Sequence, residues 1–230
     1  MKLLLVASDR MEFSGLVDRC QGLRPAALRV DWSRTGRMGE YDVLLVANGV
    51  GGARAAAAVA AAENFAADGL VSLGYCGGLA PELGVADIVV ADAVTTELRR
   101  LAVRPLEQAP GHTAGVVASV DTVAQSAEAK RALRATGAVG VEMEAAGVGR
   151  RAEALGRPFY CIKAVTDLWD ESMGIDFNSA LRPDGHFDTI KILTSSLRHP
   201  MVRLPELFQL RKRCLRASRV LGDFVADCRF

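Results

Sequence analysis

The chain of 230 residues lacks the features that most quickly assign a protein to a class. Its five cysteines (20, 76, 161, 214, 228) are odd in number, scattered, and never form CxxC. The three histidines (112, 186, 199) are equally dispersed. Neither a zinc site nor a disulfide framework has the spacing it needs, so no metal is expected and the thiols read as reduced ones of a cytoplasmic protein. A net charge of +1 gives no reason to expect nucleic acid as a partner. The longest apolar runs, such as Val43–Ala47, fall far short of the roughly 20 residues a membrane span needs. The apolar start Met1–Ala7 is interrupted by Asp9, Arg10 and Glu12 too early for a signal peptide, and no small-residue cleavage site follows. Repeats and low-complexity linkers are also missing.

What is present is ordinary globular material, 50% hydrophobic and 24% charged, with a length suited to one well-cored domain, 1–230. Continuous apolar runs predict buried strands at Lys2–Ala7, Val43–Ala47, Leu70–Leu73, Asp87–Ala91, Gly115–Val120 and Phe159–Val165. Helices are expected over the alanine-rich stretch from Ala53 to Ala67, over Ala127–Thr136, and over Val141–Leu155, where Gly156 and Pro158 end the last one. Strands alternating with helices define an α/β architecture with both sheet faces covered.

Two strands end in glycine clusters, 49–52 and 77–78. Ligands of open α/β sheets bind at the carboxyl ends of strands, and glycine lets backbone N–H groups approach them. Tight turns alone would also explain such clusters. Neither cluster is GxGxxG with an acidic residue at the distance a dinucleotide site needs. Glu142 and Glu144 read as the first turn of a helix, which favours acids electrostatically; a carboxylate there can equally accept hydrogen bonds from the vicinal hydroxyls of a ribose. Thr166-Asp167 follows a buried strand and can serve either as a helix N-cap or as a site acid.

Three blocks in order carry a resemblance: Gly74-Tyr-Cys-Gly-Gly-Leu-Ala-Pro-Glu-Leu-Gly-Val-Ala-Asp-Ile-Val-Val-Ala-Asp, then Val141-Glu-Met-Glu-Ala-Ala, then Lys163-Ala-Val-Thr-Asp. They resemble the purine nucleoside phosphorylase and methylthioadenosine/S-adenosylhomocysteine nucleosidase superfamily over roughly residues 1 to 170. From Ala180 onward, Ala-Leu-Arg-Pro-Asp-Gly, Ser196-Leu-Arg-His-Pro and a basic helix more loosely resemble the hopanoid-associated branch, which acts on adenosylhopane. The resemblance implies a single-domain fold with a central mixed, partly barrel-like sheet surrounded by helices, and a homo-oligomer. It implies that Met143 and Glu144, with Glu142 beside them, hold the ribose. Asp167 would protonate purine N7 and Glu12 would activate water. Tyr75, Cys76 and Gly77 would line base and ribose, with Val50 from the first glycine cluster and Val123 and Ala124 completing the pocket. No cofactor is implied beyond phosphate as an alternative co-substrate.

Three departures matter. Ser72 stands where phosphorylases often carry a phosphate-clamping Arg, Tyr75 replaces a small Ser or Thr, and Val123-Ala124 replaces a Phe–Ile pair. The first favours hydrolysis, although Arg34, Arg37 or Arg54 could supply a phosphate site from elsewhere. The last widens the pocket for a bulky 5′ substituent. The expected activity is therefore release of adenine from such a nucleoside. A methylthioadenosine/S-adenosylhomocysteine nucleosidase and an inactive nucleoside-binding protein are the alternatives. The stretch Arg198 to Arg219, within a C-terminal helical segment of about 198–228, has seven basic residues and one acid, a net +6, so the rest of the chain carries −5. With Leu204, Leu207, Phe208, Leu215, Phe224 and Val225 near helical spacing, it reads either as a helix packed on protein or as a basic amphipathic helix on an anionic membrane.

Overall fold

A computed structural model describes residues 1–197 and 200–230 of the chain; Arg198 and His199 lie outside the described residues. The apolar run β1 (Lys2–Ala7) pairs in parallel with β4 (Tyr41–Ala47) on one side and with β5 (Gly69–Gly78) on the other. Beyond β4, the antiparallel strands β3 (Trp32–Met38) and β2 (Gln21–Pro25) form the polar edge. On the far side, β5 runs parallel to β10 (Phe159–Asp167), which pairs antiparallel with β6 (Ile88–Thr95). From β6 the sheet passes in parallel to β8 (Thr113–Ser119) and β9 (Ala138–Glu142). β9 returns to β5 through Gly77↔Val141 and Gly78↔Gly140. Five strands thus close on themselves, which removes two sheet edges and yields the mixed, partly barrel-like sheet expected. The short β7 (Arg100–Ala102) pairs with β6 outside the ring.

Period-two alternation divides β10 between two cores. Tyr160, Ile162 and Ala164 face the layer containing Phe13, Leu16, Leu221 and Val225. Phe159, Cys161 and Val165 face the layer containing Ala55, Val59, Val148 and Ala152. The first layer is covered by α1 (Ser14–Val17) and α7 (Pro200–Ala226), the second by α2 (Gly52–Ala61) and α4 (Ala145–Leu155). The helix α3 (Ala127–Ala135) precedes β9, and α5 (Phe177–Ala180) and α6 (Thr189–Ser196) lead into α7. Among the described residues no helix is long and apolar enough to cross a membrane.

The structure corrects several boundaries. The expected helix 141–155 is a strand to Glu142 followed by a helix from Ala145, because the Glu142 carboxylate accepts from the N–H groups of Glu144 (3.0 Å) and Ala145 (2.8 Å) and starts the helix there. The glycines 74–78 are no turn; they continue β5, paired with β10 as far as Gly77↔Asp167. Asp167 is the last residue of β10, and no helix follows for it to cap. The alanine-rich helix stops at Ala61, short of 67, with a 3₁₀ turn at Glu63–Phe65 and Ala66 in the left-handed region.

Cys214, Ala217, Leu221 and Val225 of α7 are buried. The helix crosses α1 so closely that a Cβ on Gly222 would stand 2.2 Å from the Gly15 carbonyl carbon. Gly222→Val is therefore expected to lower stability by about 3 kcal/mol, read as a lower urea midpoint at unchanged slope. An unchanged midpoint would show that α7 is not held at this crossing.

Candidate active site

The carboxyl ends of β1, β5, β9 and β10 surround a cavity of about 220 Å³. Every residue that the resemblance assigns to base, ribose or catalysis lines it. Glu12 comes from the turn after β1 and Val50 from the loop after β4. Tyr75, Cys76 and Gly77 end β5, Val123 and Ala124 follow β8, and Glu142, Met143 and Glu144 bridge β9 and α4. Asp167 ends β10.

Glu12 is buried in a 3₁₀ turn, Arg10–Phe13, that Asp9 and Glu12 close as a capping box. Its Oε2 accepts from Ser8 N (2.7 Å), Ser8 Oγ (3.1 Å) and Asp9 N (3.1 Å), and its Oε1 accepts from Tyr75 N at 3.0 Å. Gly74 is required beneath it: φ is +143° and a Cβ would lie 2.6 Å from Oε1. Burial pushes the Glu12 carboxyl above its ordinary range, against the pull of Lys163 and the backbone donors. Glu144 accepts from Gly51 N at 2.9 Å. Its carboxyl is pushed up to about 7 by burial and then by Glu142, while Lys163 opposes the shift.

Lysine 163 is the residue that links these acids. It sits in β10 with no exposed surface, 2.8 Å from Glu142 Oε2, close enough for an ion pair but without hydrogen-bond geometry. Burial works against its charge, but Glu142, Cys161 and Glu144 more than offset that and hold its pKa above the ordinary lysine range. Glu142 lines the cavity, yet its Oε2 is committed to Lys163 and to the helix start.

A second buried lysine faces the other acid. Lys130 Nζ of α3 lies 2.5 Å from Asp167 Oδ2 and donates to the carbonyls of Leu168 (2.6 Å) and Glu171 (3.1 Å). Thr166 Oγ1 donates to Asp167 Oδ1 at 3.0 Å. The neighbour of this carboxylate is thus a buried ammonium group. A Cβ at Gly77 would press on Asp167 Oδ2 at 3.0 Å.

The remaining wall is apolar. Phe177 and Phe187 meet edge to face at 5.7 Å and line the cavity with Met173, Leu210 and Cys214. They supply aromatic surface that the small pair Val123-Ala124 does not. The 123–125 loop is clamped to α5 by Asn178, whose Oδ1 accepts from Val123 N at 2.7 Å and whose Nδ2 donates to Val123 O at 2.9 Å. Tyr75 turns its ring toward α7 and donates to Cys214 O at 3.0 Å. Burial pushes the Cys76 thiol up, which leaves it a poor nucleophile.

Among the described residues no arginine lines this cavity. Arg54 is bound to Asp31 and Asn48, Arg37 lies 3.9 Å from Asp42, and Arg34 stacks on Trp32. Ser72 is buried within β5 away from the cavity.

A closed mixed sheet with an acid-lined cleft at its strand ends is the architecture of nucleoside-cleaving enzymes. The sequence profile of the phosphorylase superfamily matches residues 30–113 and 93–182, and the chain belongs to that superfamily. Its fold is similar to that of a 5′-methylthioadenosine/S-adenosylhomocysteine nucleosidase from Streptococcus pneumoniae solved with a transition-state inhibitor, at TM-score 0.74 and 17% identity over 98% of this chain and 97% of that one. The nucleosidase from Neisseria meningitidis gives TM-score 0.71 and 19% identity over 98% of each chain. Futalosine hydrolase of Helicobacter pylori gives 0.72 and 15%, over 98% and 95%.

The raised Glu144 carboxyl has a consequence for stability. A carboxyl that binds its proton more tightly folded than unfolded favours the native state at low pH and loses that contribution as pH rises from about 4.5 to about 7. Glu144→Gln is therefore expected to gain stability on the wild type across that window, with a constant difference above it. Urea unfolding at pH 4.5 to 8 measures this, and a difference independent of pH would contradict it.

Proposed function

We propose that the protein cleaves the N-ribosidic bond of an adenine nucleoside carrying a bulky apolar 5′ substituent, with water as the nucleophile. The observation that carries this reading is the division of charge in one cavity: Glu12 and Glu144 near Lys163 in the body of β10, and Asp167 at the end of that strand paired with Lys130 of α3. As the C1′–N9 bond breaks, its electron pair leaves on the purine. Protonation of N7 by the acid form of Asp167 lets adenine depart neutral, and the proton that Glu12 takes from water returns through solvent to restore Asp167 after turnover. The ribosyl centre becomes cationic. Glu144 accepts from the ribose hydroxyls and, with Glu12, places negative charge where the cation develops. Met143 packs against the sugar. Glu12 takes the proton of the attacking water, so that the products are adenine and a free ribosyl sugar.

Among the described residues no arginine lines the active-site cavity, and Arg213 of the adjoining one is held by Glu171, which favours water over phosphate as co-substrate. The apolar wall of Phe177, Phe187, Met173 and Leu210, together with an adjoining cavity of about 420 Å³ that shares Asp167, Met173 and Leu210, favours a 5′ group larger than a hydroxyl. Adenosylhopane, the substrate implied by the C-terminal resemblance, has such a group; 5′-methylthioadenosine is the smaller soluble probe.

Asp167→Asn alone strands the buried Lys130 charge, a change that costs about 3–5 kcal/mol in buried pairs. The test therefore uses the double variant Asp167→Asn, Lys130→Met. Adenine release from 5′-methylthioadenosine is expected to fall about 10³-fold, with binding kept within about tenfold. A 7-methylated purine nucleoside leaves without needing a proton and is expected to lose less than about tenfold. Wild-type enzyme should release free sugar at the same rate with or without phosphate. Equal losses on both nucleosides would remove Asp167 as the acid, and a phosphate-dependent rate with a sugar 1-phosphate product would replace water as nucleophile.

A further inference from the structure

The helix α7 changes character along its length. From Cys214 onward one side is buried in the core. Its opposite side forms a stripe at spacings of three and four, Met201, Pro205, Phe208, Lys212, Arg216 and Arg219, which is apolar first and basic afterwards. Met201 is 89% exposed and Phe208 71%. Lys212, Arg216 and Arg219 then follow on the same exposed side, with Arg211 at its margin. The apolar end continues onto α6 and the residue after it, where Ile190, Leu193 and Leu197 are also exposed. Exposed apolar side chains grouped in this way on two adjoining helices point to an interaction site.

The charges of the helix are sorted as well. Arg213 is held by Glu171 at 2.7 Å and so does not belong to the exposed set. The acids at the far end, Asp223 and Asp227, are each bound by Arg19 at 2.7 Å. Arg211, Lys212, Arg216 and Arg219 make no ion pair among the described residues. A second copy of the chain fits this face poorly. Two-fold pairing with parallel helices sets basic halves against each other, and antiparallel pairing sets each basic half on an apolar one. An anionic bilayer satisfies both halves at once: hydrocarbon accepts Met201 and Phe208, and lipid headgroups accept the cations.

We propose that the exposed face of α6 and α7 is a reversible docking surface for an anionic lipid bilayer. The apolar half stands beside the larger cavity, which Val202 and Leu210 line and which joins the active site at Asp167. A nucleoside with a lipid-like 5′ group would thus be drawn from the bilayer next to the site. That last point rests on the proposed function; the attachment itself does not.

The experiment is flotation of the full chain with vesicles of phosphatidylcholine alone and of phosphatidylcholine with phosphatidylglycerol, at low and high salt, alongside sedimentation of the protein without lipid. Binding is expected to the anionic vesicles only and to fall with salt. Lys212→Gln with Arg216→Gln is expected to weaken it about fivefold per residue, and Met201→Ser with Phe208→Ser to weaken it at least as much as one charge. Hydrolysis of soluble 5′-methylthioadenosine should be unchanged in both variants, which keeps the surface and the active site separately testable. Failure to bind anionic vesicles at low salt overturns the proposal. So does binding that both variants leave intact, or an oligomer that the Met201, Phe208 variant alone dissociates, which would make the face a contact between copies.

Discussion

The buried ammonium group of Lys163 is the constraint on which the rest of the site depends. It stands in the strand shared by both cores, with no exposed surface and Glu142 at 2.8 Å. Glu12 from the turn after β1, Glu142 from β9 and Glu144 at the start of α4 all lie near enough to feel its charge. Without a cation at their centre, three carboxylates in a space this small could not all remain charged. Glu142 takes the ion pair and the start of α4 together, which leaves Glu144 free to face the cavity with one backbone donor, Gly51 N. The glycines of β5 belong to the same constraint, because only at Gly74 can the backbone pass beneath Glu12.

The electrostatic outcome is an imbalance. Four buried carboxylates face two buried lysines, Lys163 and Lys130. The excess is negative, and the raised carboxyls of Glu12 and Glu144 are its signature in the resting protein. On the proposed function, this excess of negative charge would favour a ribosyl cation over a neutral ribose, which is the differential binding that catalysis requires.

Much of this was legible in the chain, for reasons that can be named. The interior strands β1, β4, β5 and β10 are continuous apolar runs because both faces are buried. The edge strands β2 and β3 escaped notice because Trp32–Met38 is a mixed polar stretch whose order comes from pairing with β4. The β9-to-α4 junction was misplaced because acids suit both a helix's first turn and a strand end, and only the hydrogen bonds of Glu142 separate the two. The site residues lay in recognisable motifs, and the cavity gathers all of them. Their cations did not stand out: Lys130 occupies an amphipathic helix where a lysine reads as solvated, and the one signal for Lys163 was a charge inside the otherwise apolar run Phe159–Val165. Phe177 and Phe187 follow no periodic pattern, and only the tertiary fold brings them to the pocket.

The most direct test of the central claim compares two ligands of the same shape. One is an adenosine analogue with a cationic nitrogen in the ribose ring, the other its neutral carbocyclic counterpart, both measured by calorimetry with wild type and with Glu144→Gln. The account predicts that the wild type binds the cation at least about 10²-fold more tightly and that the variant loses most of that preference. Equal affinity of the wild type for both ligands would contradict an anionic cluster built to stabilise a ribosyl cation.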